Sequence, residues 1–192
     1  MKPFSPSFWP NRCARDCPMN TISIRAARDA DIAFIMATER LPGYAERVGA
    51  HDAAVHRQKM GLRDYRYVIG ETPQGAFGFA VIKQNDDGKG IANLNRIAVR
   101  QAGNGIGTRF ILGVTDLVFA DPQIERLWLD VLPDNAIARH VYAKIGFVEE
   151  GLMRSALRFP DGRRADLLLM SLLRHEWLNA RGADRKATAL PV

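Results

Sequence analysis

Three closely spaced glycines form the first pattern in this chain that suggests chemistry. Gly103, Gly105 and Gly107 stand between an apolar stretch, Ile91–Val99, and an amphipathic stretch, Ile106–Phe119. A strand that runs through a glycine turn into a helix directs backbone N–H groups and the positive end of the helix dipole at one point. Glycine leaves room there for a ligand and tolerates positive φ angles. The pattern predicts a phosphate-binding turn, and its alternative interpretation is a turn that only connects two elements.

Two familiar phosphate-binding motifs do not fit this turn. The dinucleotide fingerprint G-x-G-x-x-G needs a third glycine where the chain has Thr108, counted from Gly103, or Phe110, counted from Gly105. The P-loop pattern G-x-x-x-x-G-K-[ST] does not occur in the sequence. The turn by itself therefore leaves the phosphate ligand open.

A second set of residues follows the turn by about 30 positions. It consists of Asn135, Ala138, Tyr142, Gly146 and Phe147, spaced as N-x-x-A-x-x-x-Y-x-x-x-G-F. Seven residues make about two helical turns, so the asparagine and the tyrosine share one face of a helix. The asparagine is also a good residue to begin a helix.

The glycine turn and this helix, in this order, resemble the GNAT superfamily of acetyl-CoA-dependent N-acetyltransferases. The donor motif of that family is R/Q-x-x-G-x-G/A, followed by a strand and an N-x-x-A-x-x-x-Y-x-x-x-G-F helix. This sequence matches the helix part in full and the first part in its glycines. Aligned on Gly105 and Gly107, the chain has Ala102 where the family usually has Arg or Gln. An alternative alignment uses Arg100 and Gly103 but starts two residues earlier.

The resemblance covers about Thr21–Leu173, and within the superfamily the sequence is similar to the ribosomal-protein alanine N-acetyltransferase branch. It implies direct transfer of the acetyl group of acetyl-CoA to a primary amine, without a covalent enzyme intermediate. It also implies that backbone N–H groups hold the CoA pyrophosphate and that pantetheine pairs like an added strand. The cofactor-binding residues expected on this basis are Ile97, Ala98, Val99, Gly103, Asn104, Gly105, Ile106, Gly107, Thr108, Asn135 and Ala138. For Asn135, the alternative is a helix cap only.

Two side chains are candidates for proton transfer under this resemblance. Tyr142 is expected to act as general acid to the CoA thiolate, and its alternative role is that of a core tyrosine. The attacking amine must be neutral, yet roughly one part in 10³ of a lysine-like amine is neutral at pH 7. Asp130 stands where the related branch has a glutamate base, and its alternative role is a strand-end carboxylate bonded to the backbone. Asn93 and Asn95 could only position a water.

The strands and helices needed to hold these residues indicate an α/β fold of the α+β type. The resemblance implies a mixed, mostly antiparallel sheet of six or seven strands flanked by helices, with one parallel pair splayed around the cofactor. The helix after the glycine turn is a crossover, so the strand Ile124–Val131 should lie parallel to Ile91–Val99. In the central strand the apolar residues switch from one set of alternate positions to the other between Leu94 and Ile97. One extra residue would restore the alternation, which predicts a β-bulge near Asn95 or Arg96.

The remaining elements follow from local patterns. They are a strand Ile22–Ala26, a helix Asp29–Arg40, a helix from about His51 to Gly61, a hairpin of Tyr65–Thr72 with Ala76–Lys83, and a hairpin of Phe147–Phe159 with Arg163–Leu173. The region Leu41–Asp64 is the least regular, and the resemblance places it on the acceptor side. His51 and His56 are five residues apart rather than four, so we predict no helical metal site.

Composition fits one globular domain of ordinary hydrophobic content within 192 residues. We predict that residues 1–18 are a disordered extension, that 19–178 form the acetyltransferase domain and that 179–192 are a flexible tail. The net charge is +6, and two thirds of this excess lies in the two ends. Because no basic stripe remains, we predict no nucleic-acid partner.

The sequence contains no apolar run of transmembrane length and no signal-peptide core. Its two cysteines, Cys13 and Cys17, both lie in the N-terminal extension and are expected to be reduced. We therefore expect a cytoplasmic monomer or homodimer with no membrane partner, acting on a small-molecule amine or a protein N-terminus. The alternative is a non-catalytic acyl-CoA-binding or sensor domain on the same fold.

Overall fold

The computed structural model describes residues 21–44, 49–84, 88–100 and 103–188. The strands in these ranges are β1 Ser23–Ala26, β2 Tyr65–Thr72, β3 Gly75–Gln84, β4 Ile91–Val99, β5 Arg126–Val131, β6 Val148–Arg158 and β7 Arg164–Leu173. The α-helices are α1 Ile32–Glu39, α2 Ala53–Met60, α3 Ile106–Phe119, α4 Ala136–Ile145 and α5 Arg174–Thr188. The predictions about residues 1–18 and about Ala102 lie outside the described residues.

Seven strands form one mixed sheet in the order β1-β2-β3-β4-β5-β7-β6 within the described part of the chain. The β4–β5 pair is parallel, and the other neighbouring pairs there are antiparallel. Helix α3 connects β4 to β5 and returns the chain to the same end of the sheet, which is why these two strands run in the same direction. The predicted sheet, with its single parallel pair, is confirmed.

The two faces of the sheet carry different helices. On one face, α3 contributes the buried ladder Phe110, Val114 and Val118 to the larger core, together with residues from α4. On the other face, Ile35 of α1 packs with Ile69 and the remaining members of a smaller apolar cluster. We refer to these as the α3/α4 face and the α1/α2 face.

Helix α5 is an element that the local sequence pattern did not predict. It continues past residue 178 to Thr188, and the boundary between the domain and the C-terminal tail stays a prediction. Trp177 Nε1 donates to Asp116 on α3 at 2.8 Å, and Arg181 forms an ion pair with the same carboxylate. These partners are 61 and 65 positions apart in the chain, which is why a local pattern gave no sign of them.

Candidate active site

Strands β4 and β5 form a fork. They pair over three residues at their start, Ile91 with Arg126, Ala92 with Leu127 and Asn93 with Trp128. Beyond this point β4 continues to Val99 and β5 to Val131 without pairing with each other. At the last paired position, Asn93 Nδ2 donates to the Trp128 carbonyl at 3.2 Å. The fork leaves the facing edge of β4 available to an extended ligand, as strand addition requires.

The predicted bulge in β4 is present. Asn95 is the extra residue, because Leu94 and Arg96 lie opposite consecutive residues of β3. Leu94 and Ile97 both pack towards the core of the α3/α4 face, whereas Arg96 contacts Glu39 at the end of α1. The bulge thus restores the apolar alternation and turns an arginine towards the α1/α2 face.

The diverging end of β4 contains three of the predicted cofactor-binding residues. Ile97 and Val99 pack against the core beside α3, and Ala98 is buried in the cluster of the opposite face. Their side chains are therefore used within the protein, and one backbone edge pairs with β3. A ligand in the fork would meet the opposite backbone edge.

The glycine turn has the conformation that the sequence predicts. Gly103 and Gly105 have φ angles of 124° and 68°, values that glycine adopts at little cost. Asn104 between them has a φ of 50°, which asparagine tolerates better than most residues. A Cβ atom added to Gly103, Gly105 or Gly107 would meet no heavy atom within 4 Å. At Gly107, neither φ nor a contact within the described protein requires glycine, so an external ligand is a reason for its presence.

The first turn of α3 leaves backbone donors unused. The Ile106 N–H donates to the Gly103 carbonyl at 3.2 Å, and the Arg109 N–H donates to the Gly105 carbonyl at 3.0 Å. Among the described residues, the N–H groups of Gly107 and Thr108 have no backbone acceptor. Ile106, on the same turn, packs its side chain against the core. Free N–H groups at the positive end of a helix dipole suit a phosphate, so this turn fits the pyrophosphate of CoA.

The ends of the second motif cap helix α4. The Asn135 Oδ1 accepts from the Ala138 N–H at 3.3 Å, and Ala138 packs against the core. At the other end, Gly146 has a φ of 112°, and the N–H groups of Gly146 and Phe147 donate to the Tyr142 carbonyl at 3.2 and 3.0 Å. The capping role of Asn135 is observed; its contact with pantetheine stays a prediction.

Tyr142 is buried beneath the fork, with 8% of its surface exposed. Its ring lies 5.8 Å from that of Phe147, and its hydroxyl makes no hydrogen bond to another described residue. Burial raises the pKa of Tyr142 above its ordinary value, and the nearby Asp130 and Tyr44 raise it further. The hydroxyl is therefore neutral and can donate a hydrogen bond to a ligand.

Asp130 lies on β5 beyond the fork. Its side chain is accessible to solvent, yet desolvation raises the pKa of its carboxyl above the ordinary value. Both observations fit a group inside an open cleft, where water reaches it from one side only. Leu129 and Val131 point into the core beside α3, so strand alternation turns Asp130 to the opposite face. Asp130 and Tyr142 thus approach the fork from opposite faces of the sheet.

Tyr44 is a residue of this region that we did not predict. Its hydroxyl donates to the carbonyl of Val99, the last residue of β4, at 2.8 Å. It is also close enough to Tyr142 to contribute to the raised pKa of that hydroxyl. The two bonded residues are 55 positions apart, and Tyr44 belongs to no recognisable motif.

Two classes of feature are absent from the described ranges. No group of three or more His, Cys, Asp or Glu side chains there is arranged to hold a metal ion. None of the helices there is long and apolar enough to cross a membrane.

Comparison with known proteins identifies relatives among acetyltransferases. The chain is 34% identical over 62 residues to the kanamycin resistance protein of Rhizobium radiobacter, a match that covers 32% of this chain and 54% of that protein. It is 32% identical over 83 residues to the spermidine N(1)-acetyltransferase of Vibrio cholerae, covering 43% and 47% of the two chains. The chain therefore spans about half the length of these relatives.

The fold is similar to that of the spermidine N-acetyltransferase from Vibrio cholerae solved in complex with CoA and spermine. The TM-score is 0.72 at 21% identity, and the match covers 82% of this chain and 98% of that chain. At this identity the likeness concerns the fold. The narrower resemblance to the ribosomal-protein alanine branch stays a prediction. A model of the acetyltransferase (GNAT) domain matches residues 21–148, from just before β1 to the first residue of β6, and with this match the chain belongs to the GNAT acetyltransferase family.

Proposed function

We propose that this protein is an N-acetyltransferase that moves the acetyl group of acetyl-CoA to a primary amine by direct attack. The observation that carries the proposal is the fork between β4 and β5, which opens after three paired residues beside a glycine turn with free space in front of it. A protein named for kanamycin resistance and a spermidine acetyltransferase are among its relatives. Both names point to acceptors that carry amino groups.

The donor would be held mainly by backbone. The N–H groups of the Gly103–Thr108 turn other than that of Ile106, which donates to the Gly103 carbonyl, would bind the pyrophosphate. The edge of β4 at Ile97 and Val99, opposite the edge that pairs with β3, would pair with the pantetheine amides. Acetyl-CoA supplies the activated acetyl group at the sulfur end. We further propose that the N–H left unpaired by the bulge beside Asn95 donates to the thioester oxygen, where negative charge develops during attack.

Asp130 and Tyr142 would handle the two proton movements. Asp130 accepts the proton of the amine, directly or through a water, as the nitrogen forms its bond to the acetyl carbon. Its raised pKa makes it a stronger base than an ordinary aspartate. Tyr142 donates to the sulfur as the carbon–sulfur bond breaks. Because an ordinary tyrosine pKa, near 10, already exceeds that of a thiol, near 8.5, its main contribution is a hydrogen bond to the developing thiolate.

The acceptor is proposed to be a small-molecule amine, with a protein N-terminus as the other acceptor class. A cavity of about 440 Å³ opens just beyond the end of β5, between that strand and the tip of the β6–β7 hairpin. Its lining includes Phe159, the carboxylates Asp134 and Asp166, and the cations Arg163 and Arg164. The Arg163 guanidinium lies over the Phe159 ring at 4.9 Å, so the carboxylates are the groups of this lining that could contact a second amino group on the acceptor.

Turnover of acetyl-CoA with a panel of amines tests the proposal. The panel contains spermidine, kanamycin and a peptide with a free N-terminus, and thiol release reports transfer. We expect Tyr142→Phe to lower kcat about tenfold or more, because it removes the hydroxyl that donates to the departing sulfur, while the Kd of acetyl-CoA in calorimetry changes less than about twofold.

Tyr65→Phe is the matched control, because Tyr65 packs into the cluster of the α1/α2 face rather than beneath the fork. Unchanged turnover in Tyr142→Phe would exclude Tyr142 from the mechanism. Tight binding of acetyl-CoA without thiol release on any amine would instead favour the sensor-domain alternative.

A further inference from the structure

The α1/α2 face contains a buried ionic cluster that the proposed mechanism does not use. Glu39, at the end of α1, and His56, in α2, are both fully buried. His56 Nε2 lies 2.7 Å from Glu39 Oε1, and the Arg96 guanidinium donates to Glu39 Oε2. On its other side, His56 Nδ1 lies 3.3 Å from the Tyr67 hydroxyl. One carboxylate therefore joins both helices of this face to β4.

Arg96 also contacts the segment between α1 and α2. Its Nη1 donates to the Gly49 carbonyl at 3.2 Å, and its Nη2 lies 2.9 Å from His51 Nε2. Lys59 Nζ lies 2.9 Å from the same nitrogen. Because Arg and Lys can only donate, this nitrogen is an acceptor and His51 is neutral. Burial, followed by the charges of Arg96 and Lys59, lowers the pKa of His51 to about 4.

The position of Arg96 connects this cluster to the fork. Arg96 follows the bulge residue Asn95, in the part of β4 that no longer pairs with β5. The segment after α1 has a second attachment to β4, the hydrogen bond from Tyr44 to the Val99 carbonyl. The two attachments flank Ile97 and Ala98, beside the proposed site of the pantetheine. Tyr44, Gly49 and His51 thus form a wall next to the place where acetyl transfer would occur.

We propose that Arg96 is a positioning residue for the amine acceptor, which acts by holding Gly49 and His51 against β4. The proposal rests on the proposed function and deepens it. With 10% of its side chain exposed, Arg96 acts through these two residues rather than on the acceptor. A planar guanidinium can bond the carboxylate, the carbonyl and the imidazole together, whereas a lysine ammonium lacks that fork geometry.

Arg96→Lys tests this proposal, because it keeps a cation beside the buried Glu39 and avoids leaving that carboxylate unpaired. We expect the KM for the amine to rise about tenfold, because the wall beside the acceptor is loosened, with kcat changed less than about threefold. The Kd of acetyl-CoA in calorimetry should change less than about twofold. Arg25→Lys is the matched control: Arg25 bonds Asp31 at 2.7 Å and Glu71 at 2.9 Å at the β1 edge of the sheet.

His51 provides a second, milder pair of variants. His51→Gln keeps an acceptor for Arg96 and Lys59 and should retain a KM near that of the unchanged protein. His51→Leu removes the acceptor and should raise the KM in the same direction as Arg96→Lys. An unchanged amine KM in both Arg96→Lys and His51→Leu would overturn the proposal. So would an equal loss of acetyl-CoA affinity, since it would indicate a general structural role.

Hydrogen–deuterium exchange separates this proposal from the proposed function. In Arg96→Lys, the amides of Val55 and His56, which donate to Asp52 at the start of α2 at 2.9 and 3.1 Å, should exchange faster because His51 just before them is no longer held, whereas those of β1 and β2 keep their protection. Unchanged protection at Val55 and His56 would overturn the positioning role whether or not the protein acetylates any amine. Absence of turnover in the unchanged protein would refute the proposed function alone.

Discussion

The two faces of the sheet beside the fork differ in which chemical groups they place there. On the α3/α4 face, an apolar core that includes the buried Tyr142 supports a turn whose free groups are backbone N–H donors. On the α1/α2 face, the buried carboxylate of Glu39 bonds both the buried His56 and the largely buried Arg96. Backbone donors serve a ligand whatever the neighbouring side chains are. Side-chain networks depend on each member, so the α1/α2 face is where acceptor specificity is expected.

The two faces should also respond differently to substitution. Removing a methyl or a larger apolar group from a core costs about 0.5–5 kcal/mol, depending on how well the site can collapse. Removing one partner of a buried ion pair leaves an uncompensated charge and costs about 3–5 kcal/mol. The α1/α2 face is therefore less tolerant of single polar-to-apolar changes, and conservative variants are the informative ones there.

The largest expected effect is at the glycine turn, whose backbone N–H groups are the proposed donors on the α3/α4 face. Gly107→Val should weaken acetyl-CoA binding about a hundredfold or more, because the valine side chain would occupy the open space in front of the turn. Calorimetry measures the affinity, and circular dichroism verifies the fold. Gly107 is a cleaner position than Gly105, whose φ of 68° would strain any side chain.

Gly151→Val is the control for this variant. Gly151 also has open space around a Cβ atom, but it lies on β6 at the far edge of the sheet. It should leave the affinity unchanged. If Gly107→Val binds acetyl-CoA normally, the turn only connects two elements and the donor face must be reassigned.

A second prediction concerns Asp130, which faces the fork from the α1/α2 side. Asp130→Asn should lower kcat/KM at pH 7 about tenfold to a hundredfold, because the amine then lacks its base. Since the pKa of Asp130 is raised, activity of the unchanged protein should fall with decreasing pH before the ordinary aspartate pKa of about 3.9 is reached. The variant should approach the unchanged protein at high pH, where more amine is neutral. Matching pH–rate profiles would remove Asp130 from the mechanism.

The smallest effect concerns stability and the ionic cluster. The pKa of His51 is lowered to about 4 from an ordinary 6.5. As the pH falls, the unfolded chain therefore binds a proton first, and stability present above pH 6.5 is lost progressively towards pH 4. We expect a contribution on the order of 1 kcal/mol after solvent screening. Urea denaturation at pH 7 and pH 4.5 measures it.

His51→Gln should reduce this loss of stability at pH 4.5. Asp31 and Glu150, whose pKa values are lowered by ion pairs, contribute a further loss at low pH that is the same in the variant. His140→Gln, at an exposed position, should keep the full loss. An identical pH dependence in His51→Gln and the unchanged protein would contradict a neutral His51 whose Nε2 accepts from Arg96 and Lys59.

Much of the fold followed from residues close together in the sequence. The bounds of β4 and α3 were predicted as observed, because apolar periodicity and the glycine turn act within a few residues. The bulge at Asn95 was visible in the sequence as a break in the alternation of apolar residues along one strand. The caps of α4 were visible for the same reason, since Asn135 and Gly146 bond to backbone within four residues.

Helix α5 was missed because its sequence is polar and its partners are distant. The pattern after Leu173 resembles a solvated end, and the side chains that hold the helix contact Asp116 on α3. A polar segment can form a helix when tertiary contacts support it. No local count of apolar residues reports such support.

The sequence by itself determined the proposed donor side of this protein: a strand, a glycine turn and capped helices, whose interactions are local and largely made by the backbone. Only the tertiary structure decided the proposed acceptor side. Arg96 meets Glu39 and His51 across 57 and 45 positions, and Tyr44 meets Val99 across 55. Charged and polar side chains have many possible partners along a chain, and folding selects among them by bringing distant elements into contact. That is why the ionic cluster beside the fork could not be derived from residue types and spacing.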